Sequence, residues 1–448
     1  MKKDKNKSPT IHADLRRLGC GFAALGLAFS VTLAALGGVT KEDIAKGIKK
    51  HIEERTQKDG GKFRIKDENR ELSLTLVKVH NDKLANLGKG LYFACVDLKG
   101  DDGVIYDVDF FLAGDPAAMK VTETMLHKIN RRPRYGWEMD SNGTWVKVPA
   151  DPAVIRGMDQ FEFTYRVRLP EIPAAGRLWL PLVKSDAFQK VQLKRITSTL
   201  QWKQIQDRDH GNHILFFSPT PHDSGKVIEV QYEVRRKEKV SYPAGDMDPV
   251  QHLGPERLVP VNKTFRDLAL KVIGNRKRKL EQGRALYQHV LEHMEYDRTG
   301  KGWGNGDAVH ACDSRSGNCT DFHAYFIALA RSAGIPARFA IGATIPAGKN
   351  KGMIYGYHCW AEFLADGYWI PIDVSEAWRR PDLADYYFGH HPANRFEFSA
   401  GRDLAVKPGP STGPINFLAN ALLEVEGKGV KAETEFAFQR ERVSSLPW

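Results

Sequence analysis

The segment Ser316-Gly-Asn-Cys319-Thr-Asp-Phe-His-Ala-Tyr-Phe-Ile-Ala-Leu-Ala-Arg-Ser-Ala-Gly334-Ile-Pro-Ala-Arg338 sets a cysteine directly after a Gly-Asn turn, at the start of an amphipathic helix. Free amides at a helix N-terminus favour thiolate over thiol, so the position suits a nucleophile. By position alone, a buried structural cysteine is an equal reading. Two strands follow, Tyr357 to Leu364 and Tyr368 to Val374, with Asp366-Gly367 between them as a hairpin signal. A turn on those two residues sets His358 opposite Ser375 and makes Asp373 a diagonal neighbour on the same face. Asp373 could then fix the imidazole tautomer while the other ring nitrogen reaches the thiol.

Taken together, Gly-Asn-Cys319-Thr-Asp-Phe-His, Ala-Arg-Ser-Ala-Gly-Ile-Pro-Ala-Arg338, His358-Cys-Trp-Ala-Glu362 and Trp369-Ile-Pro-Ile-Asp373 resemble the transglutaminase-like superfamily over about 257–405. The resemblance implies a papain-like core with Cys319 as nucleophile, His358 as base and acid, and Asp373 as orienter. The stretch 158–240 also resembles the β-domain that precedes the core in secreted bacterial members, whereas 40–130 carries no such likeness. Acyl transfer needs an oxyanion donor, for which the Cys319 backbone N–H and the Trp303 indole are candidates. Packing is the simpler account of Trp303.

His289-Val-Leu-Glu-His293 has the HxxEH spacing that sets two histidines one helical turn apart, as in zinc enzymes. In a chain with 15 histidines that pattern is weak, and the resemblance makes this helix a buttress of the core. No metal ligand and no cofactor is expected. Cys359, beside His358 on a strand, is expected to face away from the catalytic side. Cys312 and Cys359 are either bridged or two free buried thiols. Asp97, Asp107 and Asp109 alternate along strands and read as a solvent face.

Working outward, the fold class is α+β and multidomain. Thr40 can cap a helix over about 41–57, with Ile44, Ile48 and Ile52 on one face and Gly60-Gly61 as its stop. Alternation in Leu72, Leu74 and Leu76, then from Val104 to Leu112, predicts an antiparallel sheet, so 40–130 is a small helix-on-sheet domain. Residues 131–157, rich in Gly and Pro, read as a linker. Alternation from Phe161 to Leu169 and from Ile228 to Val234 frames a small β-sandwich over 158–240. A second linker spans 241–256, the transglutaminase-like core 257–408, and an extension 409–448 whose Thr434, Phe436 and Phe438 read as a returning strand.

Residues 1–38 have the order of a signal peptide or membrane anchor: six basic residues before residue 18, then no charge from Leu18 to Thr40. Ala35 and Gly37 favour cleavage before Gly38; uncleaved, 18–38 would attach the chain to the membrane. The bulk of the chain is expected to be periplasmic or secreted. The net charge of +11 owes +4 to the first 20 residues, and no nucleic-acid-binding signature accompanies it, so no nucleic-acid partner is expected. The function expected is an exported cysteine acyl-transfer enzyme. It would hydrolyse peptide or amide bonds of a protein or peptide substrate in the cell envelope, through a thioester. A protein-crosslinking transglutaminase uses the same three residues, and a non-catalytic envelope binding module is the reading from another class. The loop Pro346 to Gly352 reads as short, polar and flexible, a poor lid against water. Trp360, Trp369 and Trp378 are candidates to line a channel.

Overall fold

The computed structural model describes residues 39–440 except 68–69, 116–117, 140–144 and 246–247. The leader expected over 1–38 lies outside the described residues, and among them no helix is long and apolar enough to cross a membrane. Helices and strands are mixed throughout, and the chain divides into two compact units, 1–150 and 151–448.

In the first unit Thr40 opens the helix Lys41–Lys58 through a reciprocal cap with Asp43. Ile44, Ile48 and Ile52 are buried along one stripe against a seven-stranded antiparallel sheet. Gly60 and Gly61, both at positive φ, turn the chain from the helix into the first strand. The strand Ile105–Ala113 is buried on both faces, so Asp107 and Asp109 are 5% and 0% exposed rather than on a solvent face. The reason is a hairpin, Tyr135–Met139 paired with Trp145–Pro149, in the stretch expected as a linker. Its Tyr135 hydroxyl and Trp137 indole both donate to Asp109.

In the second unit the strands expected as a free-standing sandwich share their sheets with later parts of the chain. One sheet runs in the order 189–197, 227–237, 158–168, 433–439 and 351–354. The other runs 202–206, 213–217, 176–182, 422–425 and 428–430. Thr434, Phe436 and Phe438 lie on the strand Glu433–Gln439. Apolar side chains of both sheets, such as Phe163, Leu178, Leu180, Val230 and Phe436, belong to one continuous core with the helices that follow. Burying so much apolar surface in a single core accounts for the absence of a boundary at 241–256.

A third sheet, in the order 242–243, 368–372, 358–365, 337–344 and 395–400, carries the site. Against it packs the helix Cys319–Ser332, every residue of which is buried. Helices Lys263–Ile273 and Lys279–His293 cover that helix in turn.

Candidate active site

Cys319 is the first residue of its helix and is 2% exposed. Asn318 caps the helix, accepting from Thr320 N–H at 2.9 Å, while the Asp321 carboxylate reaches back to Asn318 N–H at 2.9 Å. Asp321 also accepts from the amides of Gly304 at 2.7 Å and Gly306 at 3.0 Å, tying the loop 302–306 to the helix start. Both glycines have positive φ, which lets the amides on either side of Asn305 turn toward one carboxylate. The Cys319 N–H has no acceptor among the described residues. Tyr357, whose hydroxyl accepts from the Asn318 amide at 3.2 Å, and Tyr296 stand beside the thiol.

His358 begins the strand His358–Ala365, and Asp373 follows the strand Tyr368–Ile372. The hairpin pairs Ala361 with Ile372 and Ala365 with Tyr368, so the turn falls on Asp366-Gly367. The ladder stops at Ile372, and Ser375 lies in the helix Val374–Arg379 instead of opposite His358. Asp373 Oδ2 is 2.7 Å from His358 Nε2, leaving Nδ1 for the thiol side. The same oxygen accepts from Arg395 at 2.7 Å, while Oδ1 accepts from Ser375 Oγ at 3.0 Å and Glu376 N–H at 2.9 Å. The carboxylate is therefore saturated and its orientation fixed.

Two residues of this network carried no separate signal in the sequence. Arg395 is fully buried on the strand Arg395–Ala400, paired to 337–344. His323, one turn along the helix from Cys319, donates from Nδ1 to the Cys319 carbonyl at 2.8 Å and accepts at Nε2 from Val374 N–H at 3.1 Å. Both ring nitrogens are thus committed, and burial pushes this imidazole down to about 4, so it is neutral. It links the Cys319 helix to the segment holding Asp373.

Cys359 does not face away from the site. Phe326 of the helix meets Phe363 at 5.7 Å, so the odd-numbered residues of this strand face the helix. The Cys359 Sγ lies 3.5 Å from His323 Nδ1, and its thiol and backbone N–H both donate toward Cys319. His358 reaches Cys319 from the end of the strand.

The electrostatics follow. Burial alone would push the Cys319 thiol up; donors from Cys359 and His358 outweigh it and bring the thiol down to about 6. Burial alone would push His358 down; the Asp373 carboxylate outweighs it and raises the imidazole to about 9. Between those values the pair is held as thiolate and imidazolium. Burial and the neighbouring Cys319 keep the Cys359 thiol protonated, and burial does the same for Cys95.

The other expected residues fall as follows. Trp303 lies in the tied loop and is 36% exposed. Trp360 and Trp369 are buried in the core rather than lining a channel, because both strands of the hairpin are covered on each face. Trp378 packs near Tyr296 and Phe322. The loop 346–352 is not loose: Lys351–Ile354 is an edge strand on 433–439, and Arg440 donates to the carbonyls of Pro346 and Lys349. In the HxxEH helix, His289 bonds the Tyr325 hydroxyl at 2.9 Å and His293 approaches the Cys312 carbonyl at 3.4 Å, their rings stacked 5.1 Å apart. Cys312 and Cys359 are both free thiols.

Sequence comparison finds a protein of Haemophilus influenzae with no assigned function, 23% identical over 333 residues, covering 64% of this chain and 90% of that protein. Among solved structures, a candidate cysteine protease from Cytophaga hutchinsonii is 17% identical, covering 65% of this chain and 96% of its own, with a TM-score of 0.45. The periplasmic domain of TgpA from Pseudomonas aeruginosa is 19% identical, covering 51% of this chain and 92% of its own, with a TM-score of 0.29. Residues 266–374, which hold Cys319, His358 and Asp373, match the core profile of the transglutaminase-like superfamily. Within the chain, 266–374 is therefore a transglutaminase-like core.

Proposed function

We propose that this chain is an exported cysteine acyl-transfer enzyme that hydrolyses peptide or amide bonds through a Cys319–His358–Asp373 triad. The observation that carries the reading is the 2.7 Å contact between His358 and Asp373 at the start of the Cys319 helix. The Cys319 thiolate attacks the substrate carbonyl carbon, forming a C–S bond, and the Cys319 N–H receives the oxyanion. The His358 imidazolium gives its proton to the leaving nitrogen as the C–N bond breaks, leaving a thioester. Water then attacks that carbonyl, His358 takes its proton, and the C–S bond breaks to release the acid and the thiolate.

Hydrolysis is favoured over transfer to an amine because a transferase needs an apolar cover that excludes water. The loop 346–352 before His358 is polar, and Tyr355 beyond it is 94% exposed, so neither has the character of an apolar cover. Export rests on the basic start and the uncharged run 18–40, and the substrate class that fits is a protein or peptide of the envelope.

The deciding experiment traps the acyl group on Cys319 by mass spectrometry after exposure to envelope extract, then follows its release. Free acid is expected to form faster than the amide of an added primary amine. Dominant amide makes the enzyme a transferase and leaves the triad standing. An adduct that survives Cys319→Ala removes the triad. Protease shaving of spheroplasts tests export, and a chain found protected in the cytosolic fraction defeats it.

A further inference from the structure

The first unit buries a second group of reactive side chains, on the sheet face roofed by the 135–149 hairpin. Cys95 and Asp109 are direct cross-strand partners, and Asp107 lies two residues from Asp109 on the same face. On the neighbouring strand the ladder steps from Asp107–Lys128 to Val108–Leu126, so His127 is the extra residue of a β-bulge. Bulges re-aim side chains, and here His127 and Lys128 both reach the carboxylates.

The distances describe a small polyhedron. Cys95 Sγ is 3.1 Å from Asp107 Oδ1, and His127 Nδ1 is 3.3 Å from Asp107 Oδ1 and 3.4 Å from Asp109 Oδ2. One donor atom from each of the four residues lies within 4.8 Å of the others. Tetrahedral zinc, with bonds of about 2.0–2.3 Å, separates its ligand atoms by roughly 3.3–3.6 Å.

Three of the four residues are also held by neighbours. Lys128 donates to Asp107 Oδ2 at 2.8 Å; Tyr135 and Trp137 donate at 3.1 and 2.9 Å to Asp109 Oδ2, the oxygen that also faces His127. His127 Nε2 faces the Tyr135 carbonyl at 3.1 Å, the outer bond that leaves a lone pair on Nδ1 in metal-ligating histidines. Asp109 is fully buried, yet its Oδ1 has no hydrogen-bond partner, while His127 Nδ1 meets the carboxylates only at ion-pair distance. A buried carboxylate oxygen without a partner is costly and calls for an occupant. An imidazolium shared between the two carboxylates accounts for the His127 distances, and the Cys95 thiol donates to Asp107 Oδ1, but Asp109 Oδ1 is left without a partner.

We propose that Cys95, Asp107, Asp109 and His127 form a site for one divalent transition metal of the zinc class. A thiolate, an imidazole and two carboxylates suit that ion better than calcium or magnesium. On binding, the Cys95 thiol releases its proton to solvent.

The test uses the full chain, stripped with a chelator and titrated with zinc chloride, in parallel with Cys319→Ala so that the core thiol is not the ligand. One zinc per chain is expected in both proteins. Cys95→Ser and His127→Gln are each expected to weaken binding about 100-fold or more. Cobalt(II) should give a thiolate charge-transfer band that Cys95→Ser abolishes. If Cys95→Ser does not fold, His127→Gln and zinc protection of Cys95 from alkylation in the wild-type chain carry the test. Absence of stoichiometric zinc overturns the proposal, and so does uptake that survives both substitutions. Binding lost instead in His289→Ala, or in His80→Gln from the neighbouring His80–Asp97 pair, overturns it equally.

Discussion

Asp373 Oδ2 stands 2.7 Å from His358 Nε2 although the strand leading to Asp373 ends one residue earlier, at Ile372. Stepping off the ladder lets one carboxylate both hold the imidazole and cap the helix Val374–Arg379. Asp373→Asn keeps the shape but permits the wrong imidazole tautomer, so turnover is expected to fall about 10,000-fold. Arg395 then loses its buried anion, and unfolding free energy should drop by about 3 kcal/mol. Kinetics and urea denaturation check both; near-normal turnover would remove Asp373 from the mechanism.

A bell-shaped kcat/KM profile is expected, with limbs near 6 and 9. As pH falls through the lower value the thiolate is protonated and attack fails. As pH rises through the upper value the imidazolium loses the proton that the leaving group needs. The two apparent values belong to the pair, and Cys319→Ser should abolish the lower limb.

Cys319 should alkylate with iodoacetamide ahead of Cys95 and Cys359 at neutral pH, because only its thiol is lowered while burial raises the other two. Peptide mapping after brief exposure reads the order. Faster modification of Cys95, Cys312 or Cys359 than of Cys319 is incompatible with the nucleophile assignment.

The pieces that meet at this site were legible because their signals are local. A Gly-Asn turn before a helix places Cys319, and an Asp-Gly turn sets the hairpin that brings His358 to Asp373. Arg395 was not legible, since its approach to Asp373 depends on pairing Arg395 with Thr344, a partner no local pattern names. The same cause hid the burial of Asp107 and Asp109: alternation predicts two faces for a strand but not the hairpin that roofs one of them. The β-strands of 158–240 were readable one by one. That 422–439 completes their sheets was not, because register between distant segments is written only in the shared core.

Arg395→Met should move the basic limb upward, since the guanidinium opposes a second positive charge on His358. It should also cost stability on the order of 3 kcal/mol by breaking a buried pair. A basic limb that stays in place would show that Arg395 does not act on the imidazole.

His289→Ala is expected to leave turnover unchanged and to lower stability by about 1 kcal/mol, the value of its bond to Tyr325. Loss of turnover reversed by added zinc would reassign the catalytic centre to the HxxEH helix.

The strand Glu433–Gln439 lies between 158–168 and the Lys351–Ile354 edge that leads into His358. Its residues leave the ribosome after Cys319, His358 and Asp373 have all been made. Until then the approach to His358 has no ladder to rest on, and Glu162 waits for a partner at Gln439, far along the chain. A nascent chain therefore holds Cys319, His358 and Asp373 before it holds the strand on which 351–354 pairs.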